Sequence, residues 1–317
     1  MAYPAARGLR RIGLITVVVA TAVFTLGACS GTADRANPTP SEIASPGIGK
    51  ILFSHEVSPG EADIYVVNPD GSGLTRLTNE PGEDRAPVWS PDGSKIAFVR
   101  SRGNPAPFGA IFVANADGTG AKQVGEQTEG ILGLDWSPDG TTIAFSRFRA
   151  PGQPPAIFVM SADGKGAERI TSDAEFEVGP HWSPDGTKIA FVGGRDGNEE
   201  IYVMDVDGSS VERLTDSPDP DIAPDWSPDG TTLTFFRGPE GREDIYVINA
   251  DGTNLRRLTT DPAIEVEPVW SPDGTMIAFF SERGGNWDIY VMNADGSGVK
   301  QVTQDKGADR EPHWGGA

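Results

Sequence analysis

Asp84-Arg85-Ala86-Pro87-Val88-Trp89-Ser90-Pro91-Asp92-Gly93-Ser94-Lys95-Ile96-Ala97-Phe98 is the stretch that decides the fold. Its Trp recurs as Trp136, Trp182, Trp226, Trp270 and Trp314, at intervals of 47, 46, 44, 44 and 44 residues, and the first five copies open the same pentad, Trp-Ser-Pro-Asp-Gly. Around each Trp the order repeats: an acidic residue and usually Pro, the pentad, an apolar run such as Ile96-Ala97-Phe98, a variable loop, a second apolar run such as Ile111-Phe112-Val113, an Asp-Gly pair and a short Leu-Thr-like segment. In Ser-Pro-Asp-Gly, Pro presets the second turn position, Asp bonds locally and Gly takes the conformation that follows, so the pentad is a tight hairpin. Asp70-Gly71, Asp117-Gly118, Asp163-Gly164, Asp207-Gly208, Asp251-Gly252 and Asp295-Gly296 form a second set of hairpin turns. Four short strands in 44 residues are a blade of a β-propeller.

The ends of the repeat complement each other. Ile51-Leu52-Phe53 matches the second strand of a unit with no pentad before it, and Pro312-His313-Trp314 matches the first strand with no turn after it. A linear array would need polar caps over its end faces, whereas a ring removes them. The expected fold is therefore all-β: a six-bladed propeller of four-stranded blades over residues 50–317, with one blade shared between the termini. Trp89, Trp136, Trp182, Trp226, Trp270 and Trp314 are expected to wedge between blades as structural core.

Ahead of the repeats, Arg7, Arg10 and Arg11 precede an apolar run from Ile12 to Phe24 and then Leu26-Gly27-Ala28-Cys29. This has signal-peptide form over residues 1–28, too short and too Thr-interrupted for a spanning helix. Cys29 is the single cysteine, and the Leu-Gly-Ala-Cys stretch resembles the bacterial lipobox, which implies lipidation at Cys29. Residues 29–49, rich in Ser, Thr, Pro, Gly and Ala, read as a flexible tether. The expected location is the cell envelope, exported and lipid-anchored, on the periplasmic or outer face of a membrane. The formal charge of −20 excludes nucleic acid as a natural partner. Much of that acidity belongs to turn Asp residues, and with no second cysteine there is no disulfide to add stability.

Five positions before each Trp stand Asp84, Ile131, Glu177, Asp221, Glu265 and Asp309. Rotation about a propeller axis would gather the five carboxylates around one channel mouth. Like charges brought together raise one another's pKa or recruit a cation, and calcium, with its flexible set of oxygen ligands, would suit the ring, although no cofactor is required. The alternative is that these acids accept hydrogen bonds from loop amides. The variable loops fall on the same side and carry Arg102, Arg149, Arg195 and Arg283, two Pro-rich stretches and Trp287, the one Trp outside the repeat position, which either anchors a partner or packs on its own loop. The inventory for catalysis is thin: His55, His181 and His313 are the only histidines, and the latter two precede repeat Trp residues three blades apart, which places them on opposite sides of a ring. No nucleophile elbow, His-Glu-x-x-His or phosphate loop is present. An enzyme built here would have to use paired carboxylates.

Trp-Ser-Pro-Asp-Gly-x-x-Ile-Ala-Phe followed by Ile-Tyr-Val-x-Asn-x-Asp-Gly and Leu-Thr resembles the TolB-type β-propeller repeat from about Ile51 to Trp314. The resemblance implies a six-bladed envelope propeller that binds peptidoglycan-associated lipoprotein and other envelope proteins without enzymatic activity. In that family an α/β domain precedes the propeller, whereas here a lipobox-like signal and tether stand in its place. The expected function is a membrane-tethered scaffold that binds an envelope protein or a basic peptide segment. Two alternatives stand beside it, because similar repeats occur in some polysaccharide lyases and beside serine-peptidase domains: a carboxylate- or metal-dependent hydrolase or lyase on envelope polysaccharide, and an accessory propeller that gates peptides to a separate peptidase.

Overall fold

A computed structural model describes residues 49–102, 108–150, 153–171, 176–195 and 197–315. Cys29, the signal segment and nearly all of the expected tether lie outside the described residues, as do parts of both Pro-rich loops. The described chain is an all-β propeller of 24 strands.

Each repeat folds as four antiparallel strands, and we name the units by their Trp. The Trp89 unit is β4 (Glu83–Trp89), β5 (Lys95–Ser101), β6 (Phe108–Asn115) and β7 (Lys122–Glu129). The Trp136 unit is β8 (Ile131–Trp136), β9 (Thr142–Phe148), β10 (Pro155–Ser161) and β11 (Glu168–Arg169). β12 (Glu177–Trp182), β13 (Lys188–Gly193), β14 (Glu200–Asp205) and β15 (Glu212–Arg213) make the Trp182 unit. β16 (Asp221–Trp226), β17 (Thr232–Arg237), β18 (Asp244–Asn249) and β19 (Arg256–Arg257) make the Trp226 unit. The Trp270 unit is β20 (Glu265–Trp270), β21 (Met276–Ser281), β22 (Asp288–Asn293) and β23 (Lys300–Gln301). The Trp314 unit joins the two ends: β24 (Ala308–Gly315) pairs antiparallel with β1 (Lys50–Ser58), which continues to β2 (Glu61–Val67) and β3 (Thr75–Arg76). The Trp314 and Trp89 units share one eight-stranded sheet through a single parallel pair, Ala62 with Glu83.

The turn chemistry is what the pentads require. Ser90 Oγ donates to Asp92 Oδ1 and accepts from the Lys95 amide, while Gly93 takes a φ of 66°. The bond from Ser90 first, then those from the Ser94 amide and hydroxyl, hold the Asp92 carboxyl down to about 2. At the Asp-Gly hairpins the glycine is needed twice over. Gly208 stands at a φ of 84°, and a Cβ there would lie 1.8 Å from the Ile170 carbonyl oxygen of the Trp136 unit.

That glycine contact is one member of a cycle. Gly71 abuts Val302, Gly118 abuts Leu77, Gly164 abuts Val124, Gly208 abuts Ile170, Gly252 abuts Leu214 and Gly296 abuts Leu258, so each unit's outer hairpin rests on the unit before it. The first strands follow the same cyclic order, β24 against β4, then β8, β12, β16, β20 and back to β24. Between units lies the core. Trp314 packs with Val266, Ala278 and Phe280 of the Trp270 unit. Trp89 packs with Leu52, Ile64 and Val66 of the Trp314 unit, and Trp136 with Val88, Ala97 and Ile111 of the Trp89 unit. Trp182 meets Ile157, and Trp270 meets Ile245. Truncating such a Trp to Ala costs about 3–5 kcal/mol.

Every first strand also slips register once, three residues before its Trp. The residues there have positive φ: Ala86, Gly133, Gly179, Ala223, Glu267 and Glu311. Four of the six are not glycine, and each such residue costs roughly 1–2 kcal/mol of backbone strain. A bulge re-aims the side chains around it, and here it does so on the strands that meet one another around the cycle.

Candidate functional site

The carboxylates five positions before each Trp are all fully buried: Asp84, Glu177, Asp221, Glu265 and Asp309. They do not stand as a bare acidic ring. Arg100 grips Asp84 with two bonds of 2.7 Å, and Arg237 grips Asp221 with two of 2.6 Å. Arg195 pairs with Glu177, and Arg283 with Glu265. Asp309 faces His55, whose Nδ1 is 2.6 Å from Oδ1. Each cation lies over an aromatic floor: Arg237, for example, stands 5.5 Å from the Phe235 ring centre and 5.3 Å from that of Tyr246. A layer of acid, guanidinium and aromatic pair thus repeats from unit to unit.

This changes the expectation of a calcium-recruiting ring, which needs uncompensated charge. Four of the five carboxylates have an arginine of their own unit within ion-pair reach, so mutual repulsion is already relieved. At Asp221 burial still outweighs Arg237 and raises the carboxyl above its ordinary value. In the Trp136 unit the arrangement is inverted: Ile131 replaces the acid, and the Arg147 guanidinium lies 4.4 Å from the Phe158 ring centre.

The loop residues separate. Arg195 and Arg283 are structural partners of the acids. Arg102 remains exposed, 3.8 Å from Glu80, and Arg149 donates from Nε to the Pro154 carbonyl at 2.9 Å, closing its own loop. Trp287 is no free anchor: it is half-buried, set edge-on to Phe280 with centroids 5.2 Å apart, and the Arg310 guanidinium lies 5.7 Å from its ring centre. Its apolar face belongs to the core beneath.

A second layer, closer to the bulges, was not singled out from the sequence. Glu56 bridges Arg85 at 3.1 Å and Arg310 at 2.8 Å, and Arg85 also holds Glu83. Glu311 accepts from Ser54 Oγ at 2.7 Å and from the Ala86 amide at 2.9 Å. Beside it, burial first and then the Glu311 charge push the Glu267 carboxyl up to about 8, against the pull of Arg310. On the other side of the cycle the bulge residues are Gly133, Gly179 and Ala223, which present no functional side chain.

The residue just before each Trp forms a third set: Val88, Asp135, His181, Asp225, Val269 and His313. Three of these reach across to the next unit. Asp135 Oδ2 accepts the Trp182 amide at 2.8 Å, Asp225 Oδ2 accepts the Trp270 amide at 2.7 Å, and His313 Nδ1 accepts the Trp89 amide at 3.2 Å. Burial dominates their titration. It raises Asp135 to about 7 and Asp225 to about 8, and lowers His181 to about 4 and His313 to about 3. The His181 charge adds to the depression of His313. His181 Nδ1 is 3.7 Å from Asp225 Oδ1. The column of Asp and His before the Trp was visible in the sequence, but its role as a unit-to-unit acceptor needed the register.

The sequence of the TolB beta propeller domain family matches residues 104–242 and 217–316. A Protein TolB homolog of Chlorobium luteolum is 50% identical over 50 residues, which are 16% of this chain and 12% of that protein. The Tol-Pal system protein TolB of Nitratidesulfovibrio vulgaris is 38% identical over 48 residues, 15% of this chain and 11% of that one. The matched segments thus span about one eighth or less of the length of these curated relatives. The crystal structure of TolB from Acinetobacter baumannii superposes with a TM-score of 0.73 at 24% identity, over 84% of this chain and 66% of that one. With the family match covering most of the repeats and the fold agreeing, this chain belongs to the TolB β-propeller domain family.

Proposed function

We propose that this chain is a six-bladed closed propeller that binds a protein of the cell envelope through its loop-bearing face, held at the membrane by a lipid on Cys29. The observation that carries the binding reading is the consumption of the carboxylate layer by its own arginines within a family whose relatives include a Tol-Pal system protein. Such a layer makes a rigid, charge-balanced platform, and variable loops on a rigid platform are where partners are usually recognised. A hydrolase built on paired carboxylates would need one protonated and one free acid facing a groove, and four of these five are gripped by guanidinium groups.

Closure is supported by the two cyclic series of contacts, hairpin on preceding unit and first strand on first strand, each of which passes through the Trp314 unit as it does through the others. The Lys50–Ser58 strand and the Ala308–Gly315 strand would then share one blade. The envelope location and the tether rest on the first residues. Labelling with a fatty-acid probe should mark the wild type and miss Cys29→Ala, and equal labelling of both removes the lipid anchor from the account.

The function is tested by turnover and capture together. Incubation of the full chain with a panel of envelope glycans and peptides should leave them intact, while crosslinking in the native envelope should hold one protein reproducibly. Cleavage of any member of the panel would favour a hydrolase or lyase, or an accessory to a peptidase, over the scaffold.

A further inference from the structure

Where β2, β14, β18 and β22 begin, a second acid repeats: Asp63, Glu200, Asp244 and Asp288. Three of these pair with an arginine from the short fourth strand, Asp63 with Arg76 at 2.7 Å, Glu200 with Arg213 at 3.0 Å and Asp244 with Arg257 at 2.6 Å. In register the fourth position is Gln301, opposite Tyr290 as Arg76 is opposite Tyr65, and its amide donates to Asp288 Oδ2 at 2.9 Å. The neighbouring acid Asp309 has His55 where Asp84 and Asp221 have Arg100 and Arg237. One corner, between the Trp270 and Trp314 units, has therefore lost both arginines.

Asp305 and Asp309 meet His55 there. His55 Nδ1 is 2.6 Å from Asp309 Oδ1 and 3.5 Å from Asp305 Oδ2, and all three ligand atoms lie within 4.8 Å of one another. Asp288 is 3% exposed, and its Oδ1 is buried with no hydrogen-bond partner. Asp288 follows Trp287, whose carbonyl accepts the Asp309 amide at 2.8 Å. Loop geometry prepares the opening. The Gly307 amide holds Asp305 Oδ1 at 2.9 Å, which leaves Oδ2 for His55. Nδ1 is the ring nitrogen turned to both acids. Asp305, with 37% of its side chain exposed, provides the way in from solvent.

We propose that this corner is a binding site for a divalent transition-metal ion, with His55, Asp305 and Asp309 as ligands and Asp288 as the buried acid that supports them. An imidazole with two or three carboxylate oxygens suits zinc or manganese, whereas calcium would take oxygen ligands throughout. Binding replaces the proton on Nδ1, supplies the positive charge that arginines supply elsewhere, and ties the terminal strand β24 to β1 and to the Trp270 unit.

Calorimetric titration of the EDTA-stripped full chain with zinc chloride alone, at pH 7, tests this. The wild type should show one saturable site with a micromolar or tighter dissociation constant. Asp305→Asn, at the solvent-facing ligand, should weaken it at least tenfold, and Gln301→Arg, which places beside Asp288 the cation that Arg76, Arg213 and Arg257 place beside Asp63, Glu200 and Asp244, should remove it. Cobalt(II) loaded in place of zinc should give visible d–d absorption that His55→Gln loses. The absence of a saturable zinc site, equal affinity in the wild type and both variants, or saturable binding of calcium with none of zinc would each overturn the proposal and leave imidazolium at His55 as the corner's own cation.

Discussion

Replacing Arg237 by Met isolates what the arginines do. Asp221 is fully buried, and Arg237 holds both of its oxygens at 2.6 Å over the Phe235 and Tyr246 rings. Met keeps apolar bulk over the aromatic floor but leaves a carboxylate with no charge partner. Removing one member of a buried pair costs about 3–5 kcal/mol. For a domain of this size each kcal/mol shifts the melting temperature by roughly 2–4 °C, so Arg237→Met should melt on the order of 10 °C below the wild type. The deficit should shrink at low pH. Asp221 is already raised in the native state, and the variant raises it further, so its contribution is present below the unfolded carboxylate pKa and is lost as pH rises through the folded one. Adding Asp221→Asn should restore most of the loss at pH 7, because the amide carries no charge to desolvate. Urea melts of the three proteins at pH 5 and pH 7 are the assay. A single variant within about 1 kcal/mol of the wild type, or a double variant no better than the single, would refute the claim that the carboxylate layer is charge-balanced structure.

Two further perturbations probe the proposed closure and the residues before each Trp. Deletion of residues 308–317 removes β24 with Trp314 and the His313 acceptor for the Trp89 amide, and should lower and broaden the melt of the whole propeller, whereas an unchanged cooperative melt would indicate an open array. Asp225, raised to about 8 by burial, keeps its proton in the native state at pH values where the unfolded chain has released it. Its contribution is full below about pH 4 and is lost as pH rises toward 8, so the wild type should lose up to about 1.4 kcal/mol per pH unit relative to Asp225→Asn across that window. Parallel pH dependences of the two proteins would show that Asp225 is ionised in the folded state.

What could be read from the sequence was what the repeat makes local. The Trp period, the two turn types and the complementary half-units at Ile51 and Trp314 all follow from residues close together in the chain, and they located the strands and the pairing of the termini. The carboxylate column was visible for the same reason. Its partners were not, because register decides them. Asp84 and Asp221 sit directly opposite an arginine 16 residues on, whereas Glu177 and Glu265, one methylene longer, reach arginines 18 residues on. Loop position points to Arg195 and Arg283 and to Arg102, just past its strand, but not to Arg100 and Arg237, which lie within strands. The bulge left almost no trace, since Ala86, Ala223, Glu267 and Glu311 are residues that ordinarily avoid positive φ, and only Gly133 and Gly179 in the same column hinted at it. The corner at His55 was hidden for a different reason: it is defined by two arginines that are missing from a pattern visible only once the units are superposed.

Site-specific photocrosslinking decides whether the loop-bearing face holds an envelope protein. A photoreactive residue at Arg102, exposed on that face, should give one discrete adduct with an envelope protein in the native membrane, saturable and competed by the unlabelled chain. The same probe at Ser72, in an exposed Asp-Gly turn on the opposite side, should give none. Equal adduct patterns from the two positions, or no discrete adduct from Arg102, would contradict the account.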